Sequence, residues 1–74
     1  MDNTEYIERF QREYAQLKER YEKLSLMLTK HDVGLLEFTP SCPIKLLRKQ
    51  ASVMSEYMHI LEVRALVEKI ELPR

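Results

Sequence analysis

Residues 44–70, IKLLRKQASVMSEYMHILEVRALVEKI, decide the fold, because their apolar residues recur at helical spacing in two adjacent rows. The first row consists of Leu47, Ala51, Met54, Met58, Leu61 and Ala65. The second row consists of Leu46, Val53, Tyr57, Ile60 and Val67. Together they cover roughly 200° of the helix surface, about twice the usual core-facing stripe. We expect a helix of the same chain to cover the first row and another subunit to cover the second.

The preceding residues supply the partner helix, which we place at about residues 4–29. Its narrow apolar face consists of Tyr6, Phe10, Leu17, Tyr21, Leu24 and Leu28, with Tyr14 at the edge. Residues 31–43 hold the only glycine and two of the three prolines, which indicates a loop at about 30–42. The second helix then covers about 43–70, although Pro40 also fits its start. The short connection predicts one all-α domain, an antiparallel two-helix hairpin that assembles into a helical-bundle homo-oligomer.

The length of the chain favours oligomerisation, and its cysteine content favours a reducing compartment. Seventy-four residues allow one domain with a thin core, for which association is the usual remedy. Cys42 is the only cysteine, so no disulfide can form within the chain. A single thiol without a secretory signal indicates the cytoplasm.

The charge balance bears on the class of partner. Twelve basic and twelve acidic residues cancel, whereas proteins that bind long nucleic acids normally carry a basic excess. Extended DNA or RNA is therefore disfavoured, while a small anion could still bind at a local cluster of cations. The chain has no apolar run of the roughly 20 residues that would span a membrane.

Candidate ligand-binding residues lie beside the apolar faces. Tyr6 and Tyr14 are expected chiefly to pack, but a ring at a stripe's edge can also stack on a base. The first helix carries a charged flank of Arg9, Glu13 and Arg20, with Lys23 farther round. Such a flank is ordinarily a salt-bridging edge, yet arginine there can also hold phosphate. Arg64 lies within the second row, where a buried cation needs either a glutamate of another subunit or a bound phosphate.

The sequence offers little for catalysis or metal binding. Glu56 and His59 form a Glu-x-x-His sequence of the kind that binds metals in helical bundles. Helical geometry turns both side chains away from the apolar rows, so we expect no metal site. No serine or cysteine has the context of a nucleophile, and one glycine cannot build a phosphate-binding loop. The expectation is a protein that is not an enzyme and needs no cofactor.

One pattern in the second helix is shared with a known family. Residues 46–50, Leu-Leu-Arg-Lys-Gln, are followed by Met54, Tyr57, Leu61 and Arg64. With Glu8, Arg9, Glu13, Leu17, Lys23, Leu24 and Leu28 upstream, this pattern resembles small phage-encoded helical hairpins. That family includes the anti-CBASS cyclic-nucleotide sponge and the hairpin of an anti-Thoeris sponge. The resemblance covers residues 6–70, but the loop at 38–43 lacks the acidic start usual for the family's second helix.

The resemblance implies a ligand and an assembly. Members are helical oligomers, hexameric in the anti-CBASS case, that bind cyclic di- or trinucleotides between protomers without cleaving them. An aromatic ring and a lysine of the first helix hold bases and phosphates, and an arginine of the second helix serves another pocket. Arg64 matches that arginine by motif. The ring corresponds to Tyr6 or Tyr14, and the lysine corresponds to Lys23 or Lys30.

These observations predict a sponge for a cyclic oligonucleotide immune messenger, acting in the cytoplasm of a bacterial host. Its candidate ligand-binding residues are Tyr6, Arg9, Tyr14, Lys23, Lys30 and Arg64. The alternative is a small helical protein-interaction module, or an inhibitor, that buries the second row against a host protein.

Overall fold

The computed structural model describes residues 3–73 and confirms an all-α hairpin. Helix α1 covers Thr4–Asp32 and helix α2 covers Ile44–Glu68. The helices are antiparallel, because Tyr6 near the start of α1 contacts Glu68 at the end of α2. The hairpin is a rod with extents of 51 × 19 × 17 Å.

The first apolar row of α2 packs against α1, as its spacing predicts. Leu61 is fully buried and Ala65 nearly so, in a cluster with Phe10, Tyr14 and Ile70. Toward the loop the packing is looser, because Leu47, Ala51 and Met54 of the same row are only half-buried. The firmest part of the core therefore lies where α1 begins and α2 ends.

The second apolar row of α2 is exposed in the single hairpin. Val53 and Ile60 are 55% and 51% exposed, and Val67 is 76% exposed. Leu66 beside this row is 81% exposed. One partner helix thus leaves the row uncovered, and its burial by another subunit stays a prediction. Over the described residues, neither helix is long and apolar enough to cross a membrane.

Helix α1 extends beyond the predicted end at residue 29, and the reason is Gly34. The Leu35 N–H donates to the Lys30 carbonyl at 2.8 Å, and the Gly34 N–H donates to the His31 carbonyl at 3.1 Å. Gly34 has φ +76°, a conformation that costs glycine little and other residues more. These bonds form the capping pattern in which a left-handed glycine follows the last turn, so the helix continues as far as Asp32.

Helix α2 begins and ends close to its predicted bounds. Pro43, with an extended ψ of 141°, precedes its first residue, so Pro40 lies outside the helix. The helix ends at Glu68 because Lys69 adopts a left-handed conformation with φ 59°. The Ile70 N–H then donates to the Ala65 carbonyl at 2.8 Å. Ile70 therefore continues the apolar spacing in the sequence but enters the core from a capping turn.

An ion pair joins the loop ends of the two helices. Both terminal nitrogens of Arg48 bond the carboxylate of Asp32. The hydrogen bond from Arg48 holds the pKa of Asp32 below its ordinary value. A planar guanidinium on both oxygens of a carboxylate fixes direction as well as distance, so the pair orients the start of α2 against the end of α1.

The capping turn predicts opposite effects of two lysine-to-glycine substitutions. K69G removes a side chain that disfavours the left-handed conformation, so the free energy of unfolding should rise by about 1 kcal/mol. K49G places glycine inside an exposed stretch of α2 and should lower the free energy of unfolding by about 1 kcal/mol. Both variants lose one positive charge, which makes them matched controls in urea denaturation. A loss of stability in K69G would contradict the described cap.

Candidate functional site

A groove with a volume of ≈ 500 Å³ opens where α1 begins and α2 ends. It is lined by Tyr6, Arg9, Phe10, Arg12, Glu13, Gln16 and Arg64, and we call it the Arg64 groove. Its α1 residues recur at spacings of three and four, which places them along one side of that helix. Three arginines against one glutamate make the lining positive in a chain with no net charge.

Arg64 is held in a closed set of hydrogen bonds with Tyr6 and Glu68. Its Nε donates to Glu68 Oε2 at 3.2 Å, and its Nη2 donates to the Tyr6 hydroxyl oxygen at 3.0 Å. The Tyr6 hydroxyl in turn donates to Glu68 Oε1 at 2.5 Å. The Arg64 guanidinium also lies 5.0 Å from the centre of the Phe10 ring, a cation–π distance. Three side chains therefore contact this guanidinium in the free hairpin.

The same contacts shift the pKa values of the three groups. The hydrogen bond from Tyr6, reinforced by Arg64, lowers the pKa of Glu68 from its ordinary 4.5. The bond to Glu68 raises the pKa of Tyr6 above 10.0, because ionisation would place two negative charges together. The hydrogen bond to Glu68 also raises the pKa of Arg64. At neutral pH the set consists of a carboxylate, a guanidinium and a neutral phenol.

Arg64 already has an anionic partner within the single hairpin. Its side chain is 46% exposed there, and its burial by another subunit stays a prediction. The paired carboxylate is that of Glu68, four residues later in the same helix. The i, i+4 spacing of arginine and glutamate is a recognisable signal for this pair. Only the hairpin register, however, brings Tyr6 to the same place.

Tyr14 is a core residue and does not lie at the edge of the apolar face. Its ring is 6% exposed and packs in the cluster that contains Leu61 and Ala65. Its hydroxyl donates to Glu62 Oε2 at 2.6 Å. Leu61 and Ala65 belong to α2, so a pattern of α1 alone does not reveal these neighbours. Of the two candidate tyrosines, Tyr6 is the one in the Arg64 groove, and ligand contact by either stays a prediction.

The hairpin brings Arg9 to the Arg64 groove but leaves both candidate lysines outside it. Lys23 is exposed and pairs with Glu19 at 3.0 Å. Lys30 is exposed in the last turns of α1. At about 1.5 Å per residue, Lys23 lies about 25 Å along the helix from Tyr6, and Lys30 lies about 36 Å away. A ligand that contacts Tyr6 and either lysine would therefore need the lysine of another copy.

Sequence reasoning missed the glutamates that face tyrosines across the hairpin. Besides the pairs of Tyr6 and Tyr14, the Tyr57 hydroxyl donates to Glu13. That hydrogen bond raises the pKa of Tyr57 above 10.0. Phe10, Arg12 and Gln16 were also absent from the predicted site. All of them depend on the register between the helices, which periodicity within one helix does not define.

Metal-binding residues do not gather in the part of the chain that the structure describes. Over residues 3–73, no group of three His, Cys, Asp or Glu side chains is placed to hold an ion. His59 lies 3.9 Å from Glu62, a pair that is ionic only when the imidazole is protonated. Cys42 is exposed as a free thiol.

The pKa of Glu68 provides a direct test of the hydrogen bonds around Arg64. Y6F removes the largest cause of the lowered pKa, so the Glu68 carboxyl should titrate closer to 4.5 than it does in the unmodified chain. Y14F removes the hydroxyl that faces Glu62 and should leave Glu68 unchanged. Carbon-13 NMR of the glutamate carboxyls measures both values.

The lowered pKa of Glu68 also makes the stability of the hairpin depend on pH, and Y6F should reduce that dependence. Because the pKa of Glu68 is lower in the folded chain than its ordinary 4.5, ionised Glu68 stabilises the folded state above pH 4.5. This stabilisation disappears as the pH falls through the folded-state pKa of Glu68. Acid should therefore destabilise the unmodified chain more steeply than Y6F below pH 4.5. An unchanged Glu68 pKa in Y6F would contradict the described network.

Comparison with known proteins identifies a family over most of the chain. A family model described as Sequestin matches residues 4–67, which include all of α1 and nearly all of α2. No curated protein matches, and no solved structure matches. The name of the family indicates sequestration, in agreement with the expected activity at that general level. The identity of the ligand stays a prediction.

Proposed function

Because the chain belongs to the Sequestin family, we propose that it is a phage anti-defence sponge. In this proposal it binds cyclic di- or trinucleotide immune messengers in the cytoplasm of the bacterial host and holds them without cleaving them. The observation that supports the ligand class most strongly is the Arg64 groove, where three arginines lie beside a half-exposed aromatic ring.

The groove offers both kinds of contact that a cyclic oligonucleotide requires. Such a ligand carries one negative charge for each phosphodiester and a flat base for each nucleotide. Arg9, Arg12 and Arg64 can each grip phosphate oxygens with two parallel N–H donors. The ring of Tyr6 is 41% exposed, and a base stacked on it would gain about 1–3 kcal/mol.

Assembly would complete the site that one hairpin leaves open. The second apolar row of α2 is uncovered, so a second copy placed against it would gain by burying Val53, Ile60 and Val67. Neighbouring copies could then bring Lys23 or Lys30 toward a groove that lacks lysine. The proposed state is a homo-oligomer, with the hexamer of the resembling sponges as the leading arrangement.

Sequestration requires binding without bond cleavage, and the side chains of the Arg64 groove fit that requirement. A sponge needs affinity and abundance, because it lowers the free messenger only in proportion to the sites it provides. It needs no nucleophile or general base aligned with a phosphorus atom. Arg64 and Tyr6 offer hydrogen-bond donors that already hold one carboxylate, that of Glu68, so donors of this kind can hold an anion.

A protein-interaction module is the second candidate, and the exposed apolar row favours it. Five apolar side chains are exposed along α2, namely those of Leu46, Val53, Ile60, Leu66 and Val67. Exposed apolar patches commonly mark protein interfaces. This function predicts a stoichiometric host protein on the row and no affinity for cyclic nucleotides.

Calorimetric titration with cyclic di-AMP, cyclic di-GMP and cyclic tri-AMP tests the sponge proposal. We expect at least one of them to bind and to be recovered intact afterwards. R64Q should weaken that binding by at least about tenfold, the usual effect of losing a charge-assisted hydrogen-bonded contact. K49Q removes the same charge from α2 about four turns away and should bind nearly as the unmodified chain does.

Three results would contradict the proposal. One is the absence of binding to every member of the panel by a folded protein. Another is an equal loss of affinity in R64Q and K49Q, which would indicate general charge attraction and not a site at Arg64. The third is conversion of the nucleotide to a linear product, which would contradict the sponge mechanism.

A further inference from the structure

The carboxylate of Glu68 occupies a position on Arg64 that suits a phosphate. Arg64 Nε and Nη2 form one edge of the guanidinium, and two parallel donors on such an edge fit an oxyanion. In the hairpin, Glu68 Oε2 accepts the hydrogen bond from Nε, and the Tyr6 hydroxyl oxygen accepts the hydrogen bond from Nη2. The Tyr6 proton points to the second oxygen of the same carboxylate. One internal anion thus receives donors from both helices.

Three features make this anion replaceable. The Glu68 side chain is 32% exposed, so it can turn into solvent without opening the core. It is the last residue of α2, followed directly by the left-handed Lys69, so its backbone lies at a helix end. The ion pair of Glu68 with Arg64 is half-exposed, and pairs of that kind contribute little to stability.

We propose that Glu68 is an internal competitor for the anion site, a latch that a ligand phosphate displaces from Arg64 and Tyr6. This inference rests on the proposed function and concerns the regulation of the same groove. On displacement, one phosphate oxygen accepts a hydrogen bond from Arg64 Nε and another accepts a hydrogen bond from the Tyr6 hydroxyl. The guanidinium keeps its place over Phe10, so the site is already oriented when the ligand arrives.

The latch has a consequence for selectivity. A ligand must offer an oxyanion that reaches Arg64 and Tyr6 together, since otherwise the carboxylate returns. Neutral nucleosides cannot displace the Glu68 carboxylate, because they carry no negative charge to replace it beside Arg64. Glu68 is therefore a specificity-determining residue that acts by exclusion.

The opposite role for Glu68 is to orient Arg64 for the ligand while remaining bound to it. Both roles use the same contacts in the free hairpin, but they predict opposite effects of neutralising the carboxylate. Removal of a competitor tightens anion binding, whereas removal of an orienting group weakens it.

The test uses inorganic pyrophosphate as a probe at low salt, with the nitrogen-15 shift of Arg64 Nε as the readout. E68Q should bind pyrophosphate at Arg64 about two- to fivefold more tightly than the unmodified chain, as expected for losing one exposed ion pair. E62Q is the matched control, because it removes a carboxylate of α2 that faces Tyr14 outside the Arg64 groove. E62Q should leave the affinity at Arg64 close to that of the unmodified chain.

Each other outcome overturns the latch. An affinity that is unchanged or weaker in E68Q assigns Glu68 an orienting role, and equal tightening in E62Q and E68Q indicates general charge attraction. If E68Q does not fold, E68D decides, since its shorter carboxylate cannot hold both partners. Tighter binding in E68D supports the latch, and equal or weaker binding overturns it.

The cyclic nucleotide panel is run on the same three proteins. If E68Q binds pyrophosphate more tightly but no nucleotide of the panel binds, the latch is supported and the proposed ligand is contradicted. A panel nucleotide that binds equally to E68Q and the unmodified chain overturns the latch while leaving the sponge function standing.

Discussion

Helix α2 carries more apolar surface than α1 can cover, and both the hairpin core and the exposed row of α2 follow from this constraint. The first row closes the hairpin, with Leu61 at 0% exposure. The second row remains in solvent, with Val67 at 76%. Burial of this apolar surface by a neighbour would stabilise the assembly by about 25 cal/mol for each Å² covered. The constraint thus stabilises one contact within the chain and favours another between copies.

The Arg64 groove lies beside this exposed surface. Arg64 and Tyr57 belong to the exposed side of α2, and each is tied to α1 through a polar contact, to Tyr6 and to Glu13. Polar side chains therefore mark the boundary between the covered and uncovered rows. A neighbour placed on the second row would approach this boundary. Assembly and ligand binding are for that reason expected to use adjoining parts of one surface.

Periodicity within each helix was sufficient to predict the hairpin and its two rows. The burial of Leu61 and the exposure of Val53 follow from angles around a single helix axis, which the sequence specifies directly. Helix α1 continues three residues beyond the predicted bound at residue 29, because Gly34 supplies the left-handed turn that ends the helix. A glycine that can adopt this conformation is a common signal for a helix end.

The site was predictable only in part, because most of its contacts cross between the helices. Arg64 stood out from its place in an apolar row, and Tyr6 from its place at the end of a stripe. Their meeting depends on how far one helix slides along the other, which neither pattern defines. The same missing register misplaced Tyr14, whose ring lies in the core cluster that contains Ala65. Glu68 was overlooked because an exposed glutamate at a helix end has no distinctive local pattern.

Sedimentation equilibrium of the purified chain tests whether other copies of the hairpin cover the second row of α2. We expect a homo-oligomer at micromolar concentration, with a mass that is a multiple of the 8.9 kDa chain. A folded, monodisperse species of 8.9 kDa at the same concentration would contradict it.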